Sequence, residues 1–406
     1  MSVGERKLPR LRWVMLALVF LATVINYMDR QTLSVLAPLL HDQLHMTPAA
    51  YSRIVFLFLL AYTIMNGLSG PLIDRLGTRA GYALTMAWWS GAEMLHSLAR
   101  GVGSLGAFRF LLGMGEAGNW PAAVRVVAEW FPPEERSLAS GIFNSGSSIG
   151  ALIAPPLVAW IALAAGWPRV FTVVGSSGFL WLAVWLAVYR RGAVPAAQEK
   201  APESGRMREL LRSRFLWQFT ISKIFSDPVW YFYIFWFPEY LKTARGFTLL
   251  DIGKTAWIPF LAADAGNLVG GFFCMALQRR GRSPESAHRL SVVLFSLLMM
   301  AALPAVATRS AALAIALVSL AAFGYTGALA NMLAIPADEF PREAVASVWG
   351  IASMGAGFGG MLFSLITGAI VERYSFGPAF VLFGCIPLIA SALVWWLPRK
   401  DATVLD

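Results

Sequence analysis

The chain has 406 residues, of which 57% are aliphatic or aromatic and 14% charged, against about 25% charged in soluble domains. So much apolar surface excludes a water-soluble globular core. The net charge of +10 would suit a nucleic-acid binder, but the basic residues fall in particular loops between apolar runs, which argues against that class. Runs of about 20 apolar residues, each able to cross a hydrocarbon core of roughly 30 Å, recur along the whole length.

Twelve spans are predicted, near 13–38, 52–73, 80–98, 104–127, 138–163, 167–189, 216–240, 252–278, 290–307, 311–336, 346–370 and 376–397. The first is long enough to stay as a span, so no cleaved leader is expected. One long hydrophilic segment, rich in Arg, Glu, Pro and Ala, interrupts the series. The expected organisation is an all-α membrane protein with a six-helix half over 1–189, a cytoplasmic linker over 190–215 and a second six-helix half over 216–406. Segments on the side of the N-terminus hold 21 of the 33 Lys and Arg, those on the other side 8, which predicts that both termini are cytoplasmic.

Charges inside spans are costly and mark a partner or a task. In chain order, the first span carries VINYMDRQTLSV over 24–35, with Asp29 and Arg30 deep in the apolar run. Glu93 and His96 follow in the third span, and Arg109 and Glu116 in the fourth. If the first span enters near Trp13, Asp29 lies roughly 24 Å in. If the fourth enters from the other side near Ser104, Arg109 lies roughly 22 Å from the inner surface. The shared level predicts an ion pair between Asp29 and Arg109 that protonation of Asp29 would release.

Glu116 lies two turns from Arg109 on nearly the same face, near mid-membrane, where a proton carrier needs a carboxylate; a purely structural carboxylate is the alternative. Arg30 is turned about 100° from Asp29 and so faces elsewhere. It is free to hold a substrate carboxylate with its two-pronged guanidinium, to reach outward, or to pair with another acid. In the seventh span Lys223 and Asp227, four residues apart, form an expected ion pair, although Pro228 could bend the helix and expose Lys223. Asp264, Glu93 and His96 receive no assignment. Cys274 and Cys385 lie in apolar runs and read as small buried hydrophobes, with no metal site and no cofactor expected.

An internal repeat supports the two halves. AEWFPPEERSLASGIFNSGSSIG from Ala128 aligns with ADEFPREAVASVWGIASMGAGFGG from Ala337 at a shift of 209 residues. It pairs Glu129 with Asp338, Phe131 with Phe340, Pro132 with Pro341, Glu134 with Glu343, Gly141 with Gly350, Gly146 with Gly355 and Gly150 with Gly359. Glycines four apart on one helix face let a neighbouring helix approach closely.

GPLIDRLGTR over 70–79 resembles the loop motif between the second and third spans of the major facilitator superfamily. NYMDR, FRFLLGMGEAGNWPA, EWFPPEERSLASGIFNSGSSIGALIAPPL and WFPEYL are similar to the anion:cation symporter branch, and FNSGSSIGALIAPPL with SDPVWYF to its hexuronate carriers. The resemblance runs from about Arg12 to Pro398. It implies the major facilitator fold, two pseudo-symmetric six-helix halves, and a gating role for Asp74 and Arg75.

It further implies a site. The residue matching Glu116 takes a proton in the sugar-acid carriers and contacts the substrate, and Tyr27, Tyr62, Ser147, Ser148 and Ser353 match cavity-lining positions. Ser147 and Ser353 stand where the galactonate type has Gln and Asn, which weakens an aldonate as first choice. Trp230 offers a ring to the apolar face of a sugar.

The expected function is proton-coupled import of a hexuronate across a bacterial inner membrane by alternating access, by a monomer, with no enzymatic activity and H+ as the coupling ion. Proton coupling falls to Asp29, Glu116 and Arg109, and substrate binding to Arg30, Tyr27, Tyr62, Ser147, Ser148, Trp230, Lys223 and Ser353. The alternatives are a carrier of aldonates, aldarates or other organic anions, and a transporter-like sugar sensor.

Overall fold

A computed structural model of the chain describes residues 8–189, 210–340 and 342–398. Most of the expected linker lies outside the described residues, as do Pro341 and the side chains of Glu134, Asp338 and Glu343 from the repeat. The described chain is helical, with no strand.

The elements are α1 (Leu8–Leu44), α2 (Pro48–Leu76), α3 (Thr78–Leu95), α4 (Val102–Glu116), α5 (Asn119–Trp130), α6 (Pro133–Ala165), α7 (Trp167–Val188), α8 (Arg214–Arg245), α9 (Leu249–Thr255), α10 (Ile258–Arg279), α11 (Pro284–Met299), α12 (Ala311–Met332), α13 (Ile335–Glu339), α14 (Arg342–Arg373) and α15 (Phe376–Trp395). Short 3-10 turns follow α3 at His96–Leu98 and α11 at Met300–Ala305.

Helix starts are set by hydroxyls that accept orphan backbone N–H groups. Thr47 accepts from Ala50, Ser213 from Leu216 and Ser310 from Leu313. The long α8 stops at Gly246, whose φ of 69° is left-handed and whose N–H closes on the carbonyls of Leu241 and Lys242, a conformation that disfavours any residue with a Cβ.

Among the described residues nine helices have the length and apolar content to cross a bilayer. Three further spans fall short for identifiable reasons. Helix α3 carries Arg79 and a buried Glu93 among its 18 residues, the fourth span is divided into α4 and α5 between Glu116 and Asn119, and α8 carries Lys223, Asp227 and Glu239. The protein therefore has the twelve-helix organisation expected of its sequence.

The chain forms two compact units, Met1–Gln198 with Phe247–Trp257, and Glu199–Gly246 with Ile258–Asp406. In the first, α1 packs on α6 and α7, α2 on α4, and α3 on α4 and α7. In the second, α8 packs on α14 and α15, α10 on α12, and α11 on α12 and α15. These are the same pairings, span for span, so the repeat extends to tertiary structure. Only α9 departs from the chain order of the halves. It groups with the first unit, where a Cβ at Gly253 would lie 2.6 Å from that of Ala159 in α6.

The repeated glycines do what their spacing predicts. A Cβ on Gly146 would sit 2.6 Å from the carbonyl oxygen of Phe20, and one on Gly150 2.5 Å from that of Val24, so α6 rests directly on the α1 backbone. In the second unit Gly355 and Gly359 meet Thr220 and Ile224 of α8 in the same way.

Candidate functional site

The close packing just described fixes where the charges of the first unit go. In α4, a Cβ at Gly113 would lie 2.5 Å from the carbonyl of Phe58 in α2, and one at Gly115 2.7 Å from Cβ of Trp89 in α3. With no side chains in the way, both neighbours come against α4, and Arg109 and Glu116, one turn either side of Gly113 on the same helix face, are buried with it. Asp29, Glu93, His96 and Glu116 have no solvent exposure, Arg109 has 1% and Arg30 6%. A set of six ionisable side chains is thus built into an apolar bundle.

Arg109 does not form the expected ion pair with the carboxylate of Asp29. Its Nη1 donates to the backbone carbonyl of Asp29 at 3.2 Å and its Nη2 to that of Arg30 at 2.8 Å. Its nearest acid is Glu93, with Nη1 3.8 Å from Oε2. The depth estimate brought Arg109 and Asp29 to one level correctly, but the guanidinium finds the main chain of α1 first. Neither carboxylate oxygen of Asp29 accepts a well-formed hydrogen bond among the described residues.

Arg30 turns away from Asp29, as its place on the helix requires, and finds another acid. Its Nε donates to Oε2 of Glu116 at 2.6 Å. Aromatic rings frame the guanidinium, whose carbon lies 4.4 Å from the ring centre of Tyr62, 5.1 Å from Tyr27 and 5.7 Å from Phe58, distances at which a ring face attracts a cation. Nη2 of Arg30 and Oε1 of Glu116 have no hydrogen-bond partner among the described residues. One buried donor and one buried acceptor are therefore open, side by side with a charged pair.

On α6, the hydroxyl of Ser147 donates to the carbonyl of Asn144 at 2.7 Å, which leaves its oxygen able to accept. Ser148 is half-buried on the same turn. Glu93 and His96, unassigned from sequence, join the cluster. Nδ1 of His96 meets the carbonyl of Ala92 at 2.8 Å and lies 3.8 Å from Oε2 of Glu93, with its ring stacked 5.0 Å from Phe171.

In the second unit, Nζ of Lys223 pairs with Oδ1 of Asp227 at 2.8 Å and lies 5.3 Å from the ring centre of Trp349. Lys223 is buried, and α8 runs unbroken through Pro228. Trp230 stacks on Tyr325 at 5.4 Å and meets the edge of Phe260. Ser353, one turn beyond Trp349 on α14, is exposed.

At the loop motif, Asp74 pairs with Arg125 of α5, and Nε of Arg125 reaches Glu129 at 3.3 Å. Glu129 also accepts from Thr78 and, at 2.5 Å, from the Tyr189 hydroxyl, so the ends of α3, α5 and α7 meet at one carboxylate, to which Arg125 ties α2 through Asp74. Arg75 is exposed at the end of α2. Sequence reasoning passed over Arg125; its four-residue spacing from Glu129 was the available signal. The second unit repeats the theme with Arg289, which meets Glu285 at 2.8 Å, Glu339 at 3.2 Å and the carbonyl of Leu397 at 2.6 Å. Arg79 likewise reaches the carbonyl of Leu186 at 2.6 Å. Of the two acids meeting Arg289, Glu339 is one residue beyond Asp338, which the sequence repeat pairs with Glu129. Among the described residues no group of His, Cys, Asp and Glu has the makings of a metal site.

The chain as a whole is similar to known proteins. The chain is 32% identical over 417 residues to the hexuronate transporter of Escherichia coli (strain K12), covering 98% of this chain and 96% of that one. It is 34% identical over 311 residues to the galacturonate transporter of Dickeya chrysanthemi, covering 72% and 90% respectively. Its fold matches the crystal structure of a D-xylose–proton symporter with a TM-score of 0.77 at 15% identity, over 97% of this chain and 99% of that one. The profile of the Major Facilitator Superfamily matches residues 19–283 and 286–405, and the chain is a multi-pass membrane transporter belonging to that superfamily.

Proposed function

We propose that the chain is a proton-coupled symporter that imports a hexuronate, such as glucuronate or galacturonate, across a bacterial inner membrane by alternating access, with both termini in the cytoplasm. The similarity to hexuronate and galacturonate transporters supports the substrate class. The distribution of Lys and Arg supports the orientation. The charge cluster lies within a single chain, so a monomer suffices.

The observation that carries the reading is the Arg30–Glu116 pair. A guanidinium already holding a carboxylate at 2.6 Å has to let go before it can grip another. A proton on Glu116 weakens that hold, because a neutral acid no longer attracts the cation with full charge. The substrate carboxylate then takes the vacated place on Arg30. Proton and sugar acid enter together because each makes the other's binding favourable, a reciprocal coupling. Tyr27, Tyr62 and Ser147 supply hydroxyls for the sugar, and Asp29 and Arg109 belong to the proton path. Lys223, Trp230, Ser148 and Ser353 are assigned to substrate contact, and Asp74 and Arg75 to gating.

The test is uptake of labelled glucuronate by proteoliposomes. An inward proton gradient should drive accumulation, and equal entry with and without the gradient sinks the symport reading. A thermal-shift series with hexuronates, aldonates, aldarates and aromatic acids separates hexuronate from the other anions. Stabilisation by an aldarate alone would replace the substrate while leaving the carrier mechanism in place.

A further inference from the structure

Three buried acids, Asp29, Glu93 and Glu116, face two guanidinium groups, Arg30 and Arg109. Glu116 is held directly by Arg30. Asp29 and Glu93 are left to share Arg109, whose Nη1 lies 3.2 Å from the main-chain carbonyl of the first and 3.8 Å from Oε2 of the second. Arg109 spends both Nη atoms on α1 carbonyls and gives Glu93 only a 3.8 Å electrostatic contact. All four carboxylate oxygens of Asp29 and Glu93 lack a well-formed hydrogen bond among the described residues, the indole N–H of Trp89 being the nearby donor that faces Asp29.

His96 adds no cation to this balance in its neutral form. The contact between its Nδ1 and the carbonyl of Ala92 is satisfied by a neutral ring with its proton on Nδ1. Among the described residues no other cation is seen to pair with Asp29 or Glu93. Arg53 of α2, Arg169 of α7 and Arg100 are exposed, and Arg125 and Glu129 of α5 belong to the cytoplasmic cluster. An ionised carboxylate buried without partners is among the most expensive groups a protein can hold. Two such acids against one shared cation is an arrangement that holds one proton between them.

We propose that Glu93 is a third proton-exchanging carboxylate of this cluster, the alternate partner of Arg109 whenever Asp29 holds the proton. In one position of the switch Asp29 carries the proton and ionised Glu93, 3.8 Å from Nη1, balances Arg109. When Asp29 releases its proton, its carboxylate draws Arg109 and Glu93 takes up a proton in turn. The exchange is one proton lost by Asp29 for one gained by Glu93, with water as the source and sink, so the buried charge stays constant. A single guanidinium with two competing acids is a two-position switch.

The inference rests on the proton-coupled reading, but its test needs no sugar. Purified full-length protein is titrated from acid to neutral pH while infrared difference spectroscopy follows the carbonyl stretch of protonated carboxyl groups. Comparison of wild type with Glu93→Gln and Asp29→Asn gives reciprocal expectations. In Glu93→Gln, Arg109 serves Asp29 alone, so Asp29 should stay ionised to lower pH, with its titration shifted by about one pH unit. In Asp29→Asn the remaining signal should move the same way, now from Glu93.

An acid-band titration in Glu93→Gln that superimposes on wild type overturns the proposal. If that variant does not yield folded protein, Glu93→Asp serves. Its shorter carboxylate lies farther from Arg109 and should titrate at higher pH, and an unchanged titration again overturns the proposal. Glucuronate uptake is measured separately: absence of uptake in wild type would fail the transport reading while leaving the infrared result to stand.

Discussion

Arg30 and Glu116 are 86 residues apart in the chain, yet Nε of the first and Oε2 of the second meet at 2.6 Å with both side chains withdrawn from solvent. The salt bridge is closed through Nε and Oε2 while Nη2 of Arg30 stays open, so a substrate acid competes with Glu116 for the charge of the same guanidinium. On the proton-coupled reading proposed above, that competition puts the proton before the substrate or together with it.

Glu116→Gln should therefore uncouple the carrier. A neutral amide leaves Arg30 open to substrate at every pH. Exchange of labelled for unlabelled glucuronate should persist, while accumulation driven by a proton gradient falls at least about tenfold. Proteoliposomes preloaded with glucuronate and then given a gradient report both quantities. Undiminished accumulation would remove Glu116 from the proton path.

Arg30→Ala should lose substrate affinity by roughly 10- to 100-fold, the scale of a charge-assisted hydrogen bond or two. Arg30→Lys restores the charge without the fork and should recover only part of it. Isothermal titration with glucuronate distinguishes the two variants, and equal affinity in all three proteins would mean that Arg30 does not touch the carboxylate.

Lys223 and Asp227 offer a contrast between structure and function. Asp227→Asn leaves a buried ammonium uncompensated and should destabilise by about 3–5 kcal/mol. Replacing both with Met removes the charge along with its partner and should recover most of that loss. If the doubly substituted protein unfolds at the wild-type temperature but no longer binds glucuronate, Lys223 contacts substrate. Unchanged binding makes the pair purely structural.

Glycine positions give the sharpest stability test. Gly150→Ala drives a methyl group to within 2.5 Å of the Val24 carbonyl and 2.9 Å of Cβ of Tyr27, at an expected cost of about 1–3 kcal/mol. Gly141 and Gly350 have nothing within 4 Å of a new Cβ, so alanine there should be neutral or stabilising by up to about 1 kcal/mol. Thermal unfolding in detergent should order the variants accordingly.

The span count, the repeat and the glycine seams were legible from the sequence because they depend on composition and spacing along one helix. Depth was legible too, since 1.5 Å per residue places Asp29 and Arg109 at one level. What depth does not give is the atom that a side chain meets. Arg109 lands on carbonyls of α1 because its long side chain spans the gap from α4 to that backbone, while Gly113 and Gly115 seat α4 against α2 and α3. Arg30's choice of Glu116 was one of three options open from sequence. Glu93 could not be assigned because its partner is set by how α3 is rotated against α4, a tertiary quantity with no local signal.

The contact of α6 with α1 has a further implication for selectivity. At Gly146 and Gly150 backbone meets backbone with no side chain between, so there is no compressible layer to absorb a shift of the helix that carries Tyr27 and Arg30. Sugar acids of different shape must then be accommodated by side-chain rotation around a fixed frame. Exchanging one cargo for another should be a matter of rotamers and a few lining residues, which is how a rigid scaffold can stay constant while its diet changes.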